Sequence, residues 1–314
     1  MYRIGVDLGG IGIKAGIADE NGKIVLKKSC KTEVDMGFYQ IVEDMAGLIN
    51  DLLEEADISV KEISSIGVGM PGASDSNGKV YYATNLKWVN VPLGEKLREY
   101  FPQAEIYVDN DANATALAEY HFGAMQGVRS GVMITLGTGV GGGIILDGKL
   151  HQGAFHTGGE LGHLIVGENF YSCNCGNNGC LETFCSATAI IKYAQKLMMD
   201  GKNSLIREKV QGQLDEVTAK MVFDAYREND EVAVLVVHRF TKYLGIGISG
   251  LINLLDPELF VIGGGVAGAF ELFIDELRKE VKRHVIFKEI PFANIVTARF
   301  QNDAGILGAA MLGK

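Results

Sequence analysis

An α/β fold of mixed sheets, divided into two domains that face a cleft, is what this sequence predicts. Three observations carry the prediction. Glycines cluster just after short apolar runs, one plan of strand, glycine turn, strand, tight turn and strand occurs twice, and helical segments alternate with strands between and after the repeats. A chain of 314 residues is long enough for two domains with cores of their own.

Each element has its own reason. Residues 3–8, RIGVDL, form an apolar run broken by one aspartate, followed by Gly9-Gly10, then IGIKAGIA, the turn DENGK and a further apolar run. Residues 131–150 repeat the plan as GVMITL, GTGVGGG, IIL and DGK. Asn-Gly and Asp-Gly are strong hairpin signals because both central positions tolerate positive φ. Between the repeats the pattern predicts helix 37–56, strand 64–69, strand 104–108 and helix 112–123. Beyond them it predicts helices 186–200, 217–227 and 230–254, strand 258–262, helix 268–284, strand 294–298 and helix 303–313. The last helix is expected to return to the first domain, which gives domains of 1–112 with 301–314, and 113–300.

Composition removes several classes of function. Hydrophobic content of 47% with five prolines describes an ordered globular chain. A formal charge of −10 argues against nonspecific nucleic-acid binding, which needs cations to replace phosphate counterions. No apolar run is expected to approach the roughly 20 residues of a membrane span. The start, MYRIGVDLGG, lacks the charged-then-apolar plan of an export signal, so the expected location is the cytoplasm.

The strongest chemical signal lies at ELGH and CNCGNNGCLE. His163, Cys173, Cys175 and Cys180 supply three soft sulfurs and one imidazole, the set a closed tetrahedral zinc site requires. Buried or disulfide-paired cysteine is the alternative, and disulfides are rare in the cytoplasm. Glu160 and Glu182 flank the ligands, so folding this knuckle should gather two carboxylates and an imidazole into the floor of a polar-substrate pocket.

Three glycine turns follow strands: Asp7-Leu8-Gly9-Gly10, Gly137-Thr138-Gly139-Val140-Gly141 and Gly263-Gly264-Gly265. Glycine there lets backbone N–H groups approach an anion, and together the turns suggest a nucleotide triphosphate. None has the Walker spacing. Asp7, at the end of the first strand, is placed to hold magnesium through water. In VDNDANATALAEY, Asp109 and Asp111 fall where an apolar strand meets a helix. Two readings stand open: helix capping by Asp111 or Asn113, or Asn110-Asp111 orienting a substrate hydroxyl and accepting its proton. Gly72, Asn85 and Trp88 lie in a polar loop available to a substrate, with packing the expected role of Trp88.

With these motifs in order, the chain resembles the ROK family of sugar kinases and repressors, within the actin-like ATPase superfamily. GGELGH, CNCGNNGCLE, DNDAN, MPG and ITLGTGVGGG carry the resemblance from Asp7 to the terminal AGILGAAMLG, and CLETFCSAT is most similar to the family's bacterial glucokinases. The resemblance implies a two-domain actin-like, ribonuclease H-like fold and ATP-dependent phosphorylation of glucose at O6, with Mg2+ and a structural zinc. It implies Asp111 as general base and sugar contacts from Gly72, Asn85, Asn110, Glu160, His163 and Glu182. It implies nucleotide contacts from Gly9, Gly10, Thr138, Gly139, Gly264 and Gly265, and a homodimer or homotetramer. Ile11 departs from the family pattern, which has threonine there, whereas Lys14 matches. The alternatives are a kinase for N-acetylmannosamine, N-acetylglucosamine or another hexose, and a non-catalytic sugar sensor. The family's repressors carry an N-terminal helix-turn-helix, for which a first strand beginning by residue 3 is expected to leave no room.

Overall fold

The structure, a computed structural model, describes residues 1–300 and 302–314. In chain order it runs β1 (Tyr2–Leu8), β2 (Gly12–Ala18), β3 (Ile24–Lys31), α1 (Phe38–Glu55), β4 (Ile63–Met70), β5 (Ala73–Ser74), β6 (Val80–Ala83) and β7 (Trp88–Val91). There follow α2 (Leu93–Tyr100), β8 (Glu105–Asn110), α3 (Asp111–Phe122), β9 (Gly131–Leu136), β10 (Val140–Leu146) and β11 (Lys149–Leu150). The remainder is α4 (Glu182–Cys185), α5 (Ala187–Met199), α6 (Leu205–Lys209), α7 (Ala219–Arg227), α8 (Glu231–Leu255), β12 (Leu259–Gly263), α9 (Phe270–His284), β13 (Asn294–Thr297) and α10 (Ala304–Ala310).

The repeated plan in the sequence becomes a repeated topology. One sheet has the order β3-β2-β1-β4-β8 and another the order β11-β10-β9-β12-β13, so each places its opening hairpin on one side and two later strands on the other. β4 and β8 add parallel to β1, as β12 and β13 add parallel to β9. Of the two hairpin dipeptides, Asp147-Gly148 takes positive φ at both positions, whereas in Asn21-Gly22 only Gly22 does, at φ 76° in the β2–β3 turn.

Two compact units divide the chain, Met1–Ser130 with Gly143–Gly159 and Arg299–Lys314, and Gly131–Gly142 with Glu160–Ala298. The first therefore contains α3, which the expected boundary at 112 gave to the second domain. Packing explains the difference, because α3 and β4 both lie against α10. The paired strand residues Gly5 and Gly67 leave a backbone surface on which α10 rests. A Cβ on Gly5 would stand 1.8 Å from the Ile306 carbonyl oxygen, one on Gly67 1.8 Å from that of Ala309, and one on Gly308 1.7 Å from that of Ala114. Only glycine permits so close a backbone approach. Gln301, the first residue of the expected return segment, lies outside the described residues.

In the second unit α8 is the central helix, burying Val236, Phe240, Leu244, Ile248 and Leu251 along one stripe against α5, α7 and α9. Against the expectation that no run approaches a span, α8 is long and apolar enough by length and composition to cross a membrane; 61% of its most apolar window is buried inside the protein, as in a core helix. A second correction concerns the polar loop expected over residues 67–88. Beyond β4 it folds into the small sheet β5-β6-β7, and Trp88 within it is buried edge-on against Phe38 at 5.2 Å.

Candidate functional site

In the first unit the site is built where β8 passes into α3. Asn110, not Asp111 or Asn113, is the N-cap: its Oδ1 accepts from the Ala112 N–H at 2.8 Å while its Nδ2 donates to the Gly72 carbonyl at 3.2 Å. The helix consequently begins at Asp111, one residue earlier than expected, and Asp111 is half-buried with its Oδ1 2.9 Å from the same Ala112 N–H. The two aspartates now separate. Asp109 is only 6% exposed and accepts from the Asn110 N–H (2.7 Å), Asn113 Nδ2 (3.0 Å) and Gln152 Nε2 (2.6 Å). Burial pushes its pKa up, against the pull of those three donors. Asp109 is thus a buttress beneath the Asn110-Asp111 turn.

Gly72 packs too tightly for any side chain, with a built Cβ 2.2 Å from the Tyr82 carbonyl oxygen. Asn85, exposed in a short 3₁₀ turn at Thr84–Leu86, lies beside the first glycine turn: a Cβ on Gly10 would be 3.1 Å from its carbonyl oxygen. Asp7 and Lys14 are register partners on β1 and β2, with Nζ and Oδ2 3.5 Å apart. The Gly9-Gly10-Ile11 turn is clamped by Thr32, whose hydroxyl donates to the Gly9 carbonyl at 2.7 Å and whose N–H donates to that of Ile11 at 3.0 Å. The Ile11 side chain is 87% exposed.

The other two glycine turns meet within the second unit. Gly264 takes φ 82°, and a Cβ there would fall 2.4 Å from the Leu136 carbonyl oxygen, directly before Gly137. Gly265 continues from it into a 3₁₀ turn. The carbonyls of Gly137 and Thr138 accept from the Ala187 N–H and the Thr188 hydroxyl, both at 2.8 Å, so the start of α5 fixes the turn.

His163, Cys173, Cys175 and Cys180 converge, their ligand atoms all within 4.8 Å of one another. His163 Nδ1 is 3.7 Å from Cys173 Sγ, and the Cys175 and Cys180 sulfurs are 3.6 Å apart. A tetrahedron with Zn–S bonds of about 2.3 Å has edges of about 3.8 Å, so the donor set fits that ion. Positive φ at Gly176 and Gly179 makes the turns between the sulfurs. The Asn177 N–H holds the Cys175 thiol down to about 7, whereas burial drives Cys180 up to about 12. Glu160 is exposed at the start of the 3₁₀ turn carrying His163 and accepts from the His163 N–H through its carbonyl at 3.0 Å. Glu182 is more engaged than its sequence position suggested: Oε2 accepts from the Val140 N–H at 3.0 Å and Oε1 lies 3.7 Å from Cys173 Sγ.

A layer behind this cluster escaped the sequence reading. The Arg239 guanidinium lies 4.4 Å from the Tyr193 ring centre and 4.5 Å from that of Phe184, and donates to Asn169 Oδ1 at 2.7 Å. Asn169 Nδ2 and the Tyr171 hydroxyl both donate to the Thr183 carbonyl, one residue after Glu182. The signal was an arginine four residues before Tyr243, a spacing that puts the two side chains on one helix face. Cys185 is fully buried with its thiol against the Phe240 carbonyl, a packing residue.

The ROK family model matches residues 3–314. The chain belongs to the ROK family. Among ROK relatives, the glucokinase of Thermotoga maritima is 37% identical over 313 residues, covering 99% of this chain and 96% of that protein. The xylose repressor of Caldicellulosiruptor bescii is 31% identical, with 97% of this chain matching 76% of that protein. A ROK family glucokinase from Streptomyces griseus, solved in complex with glucose and AMPPNP, superposes with a TM-score of 0.82 at 34% identity and covers 99% of both chains.

Proposed function

We propose that this chain is a glucokinase that transfers the γ-phosphoryl group of ATP to O6 of glucose. The observation that supports the reading is the end-to-end likeness to a ROK glucokinase solved with glucose and AMPPNP. From the first unit we assign Asp111 as general base and Gly72, Asn85 and Asn110 to the sugar. The Asn110 cap and the Asp109 buttress fix the backbone of the turn, and the Ala112 N–H donates to Asp111 Oδ1, which leaves Oδ2 as the oxygen to receive the O6 proton. Asp7 would hold Mg2+, and Gly9, Gly10, the Ile11 backbone and Lys14 would take phosphate oxygens. When bound with ATP, Mg2+ would supply charge neutralisation at those oxygens.

From the second unit we assign Glu160, His163 and Glu182 to sugar hydroxyls, and Thr138, Gly139, Gly264 and Gly265 to the nucleotide. Zinc would be held by His163, Cys173, Cys175 and Cys180, and four protein ligands make it a structural cross-link with no open position. His163 Nδ1 faces the sulfurs, so Nε2 is the nitrogen directed to a hydroxyl. A cytoplasmic homodimer or homotetramer completes the reading.

The deciding experiment is a coupled ATP assay over glucose, other hexoses and N-acetylhexosamines. Glucose turnover above the rest is expected. Faster turnover of an N-acetylhexosamine would reassign the substrate, and glucose binding without turnover would move the chain to the sensing branch that its likeness to the xylose repressor represents.

A further inference from the structure

Glu182 stands where two ligands of the proposed reaction would each want something. Its Oε2 accepts the Val140 N–H at 3.0 Å and lies 2.4 Å from the position of a Cβ built on Gly139, so a carboxylate fills the space over the 137–140 turn. The turn cannot swivel away from it, because the Gly137 and Thr138 carbonyls are tied to Ala187 and Thr188. A carboxylate therefore already takes the Val140 amide of this turn, and it belongs to the protein.

We propose that Glu182 is a self-occluding anion for the nucleotide turn, displaced when glucose draws its carboxylate to a hydroxyl. The inference rests on the reading of residues 137–140 as a phosphate cradle and of Glu182 as a sugar contact. Before sugar arrives, nucleotide phosphates meet a capped Val140 N–H and a like charge beside it. Once glucose engages Glu182, the amide turns from satisfied to available and the negative charge is shared with the sugar. Glucose and nucleotide then strengthen one another by the same factor, as linkage demands. The arrangement discourages ATP from settling into a site that holds no sugar.

The test is AMPPNP binding by calorimetry to the wild type, Glu182→Gln and Glu182→Ala, with and without saturating glucose, together with exchange of the Val140 amide. Glucose should tighten AMPPNP binding to the wild type by about tenfold, the scale of one charge-assisted hydrogen bond. Glu182→Ala should bind AMPPNP tighter than the wild type in the absence of glucose and lose the glucose effect, with the isosteric Glu182→Gln between them. A side chain that merely props the loop would give the opposite sign. Val140 exchange should accelerate in Glu182→Ala and on adding glucose to the wild type. Unchanged or weaker AMPPNP binding by sugar-free Glu182→Ala, in a protein that still phosphorylates glucose in its wild-type form, overturns this inference alone. A chain that binds AMPPNP in none of its forms overturns the nucleotide reading and the inference with it.

Discussion

Gly67→Ala should destabilise the protein while the same substitution at Gly47 stabilises it. At Gly67 the new methyl would stand 1.8 Å from the Ala309 carbonyl oxygen. Ordinary contact needs well over 3 Å, so α10 must retreat by roughly 1.5 Å in an interior packed as densely as a crystal. It cannot retreat freely, because Gly5 and Gly308 hold it by equally close backbone contacts. Overpacking typically costs 1–3 kcal/mol, and backbone against backbone offers no rotamer to relieve it, so about 3 kcal/mol is expected. Gly47 lies exposed inside α1 with nothing within 4 Å of a built Cβ, where alanine is worth about 1 kcal/mol over glycine. For a cooperative unit of this size each kcal/mol moves the midpoint by about 2–4 °C. Thermal unfolding followed by circular dichroism should therefore show Gly67→Ala about 6–12 °C below the wild type and Gly47→Ala about 2–4 °C above it. A Gly67→Ala midpoint at or above that of the wild type would refute the packing argument.

Asp111→Asn should lower kcat on glucose by about 10²–10⁴ while glucose still binds, since the amide keeps the shape and loses the basicity; turnover within a few-fold of the wild type would remove Asp111 as base. The purified protein should carry one zinc per chain, and Cys175→Ser should lose metal and glucose affinity together, as metal analysis and sugar titration would reveal; normal glucose binding by zinc-free protein counts against the tether. Burial first, then Lys314 and Arg3, holds His121 down to about 4. The unfolded chain takes up that proton near 6.5, so this contribution is complete above pH 6.5 and fades as pH falls towards 4. The unfolding midpoint of His121→Gln should fall less over that interval than the wild type's, and parallel curves would contradict the assignment.

What the sequence made legible was local. Glycine turns and Asn-Gly or Asp-Gly hairpins announce themselves within a few residues, and the metal ligands lie within one short stretch, so the repeated sheet plan and the Cys/His cluster were both readable. The small sheet at 73–91 was not, because its strands have two to four residues and leave Tyr81, Tyr82 and Val89 exposed, without the alternation that marks a half-buried strand. The boundary after α3 was misjudged because α10, far along the chain, decides it. Supporting contacts were equally hidden: Gln152 reaches Asp109 across 43 positions and Thr32 reaches Gly9 across 23, and no spacing rule connects such pairs. Glu182 illustrates a different limit. Its place beside the ligands was plain, but its grip on the Val140 amide is a fact of the folded loop.

The position of α10 has a consequence for how the protein comes to exist. Its seat is formed by Gly5, Gly67 and Ala114, all made early in synthesis, yet the helix itself is translated only after the whole second unit. Roughly 170 residues separate the end of the first long segment from the returning one, which at 5–20 residues per second is on the order of ten to thirty seconds of translation. Through that interval the nascent first sheet presents a bare strip of backbone where α10 will sit. The first unit thus begins first in the chain and receives its closing helix last.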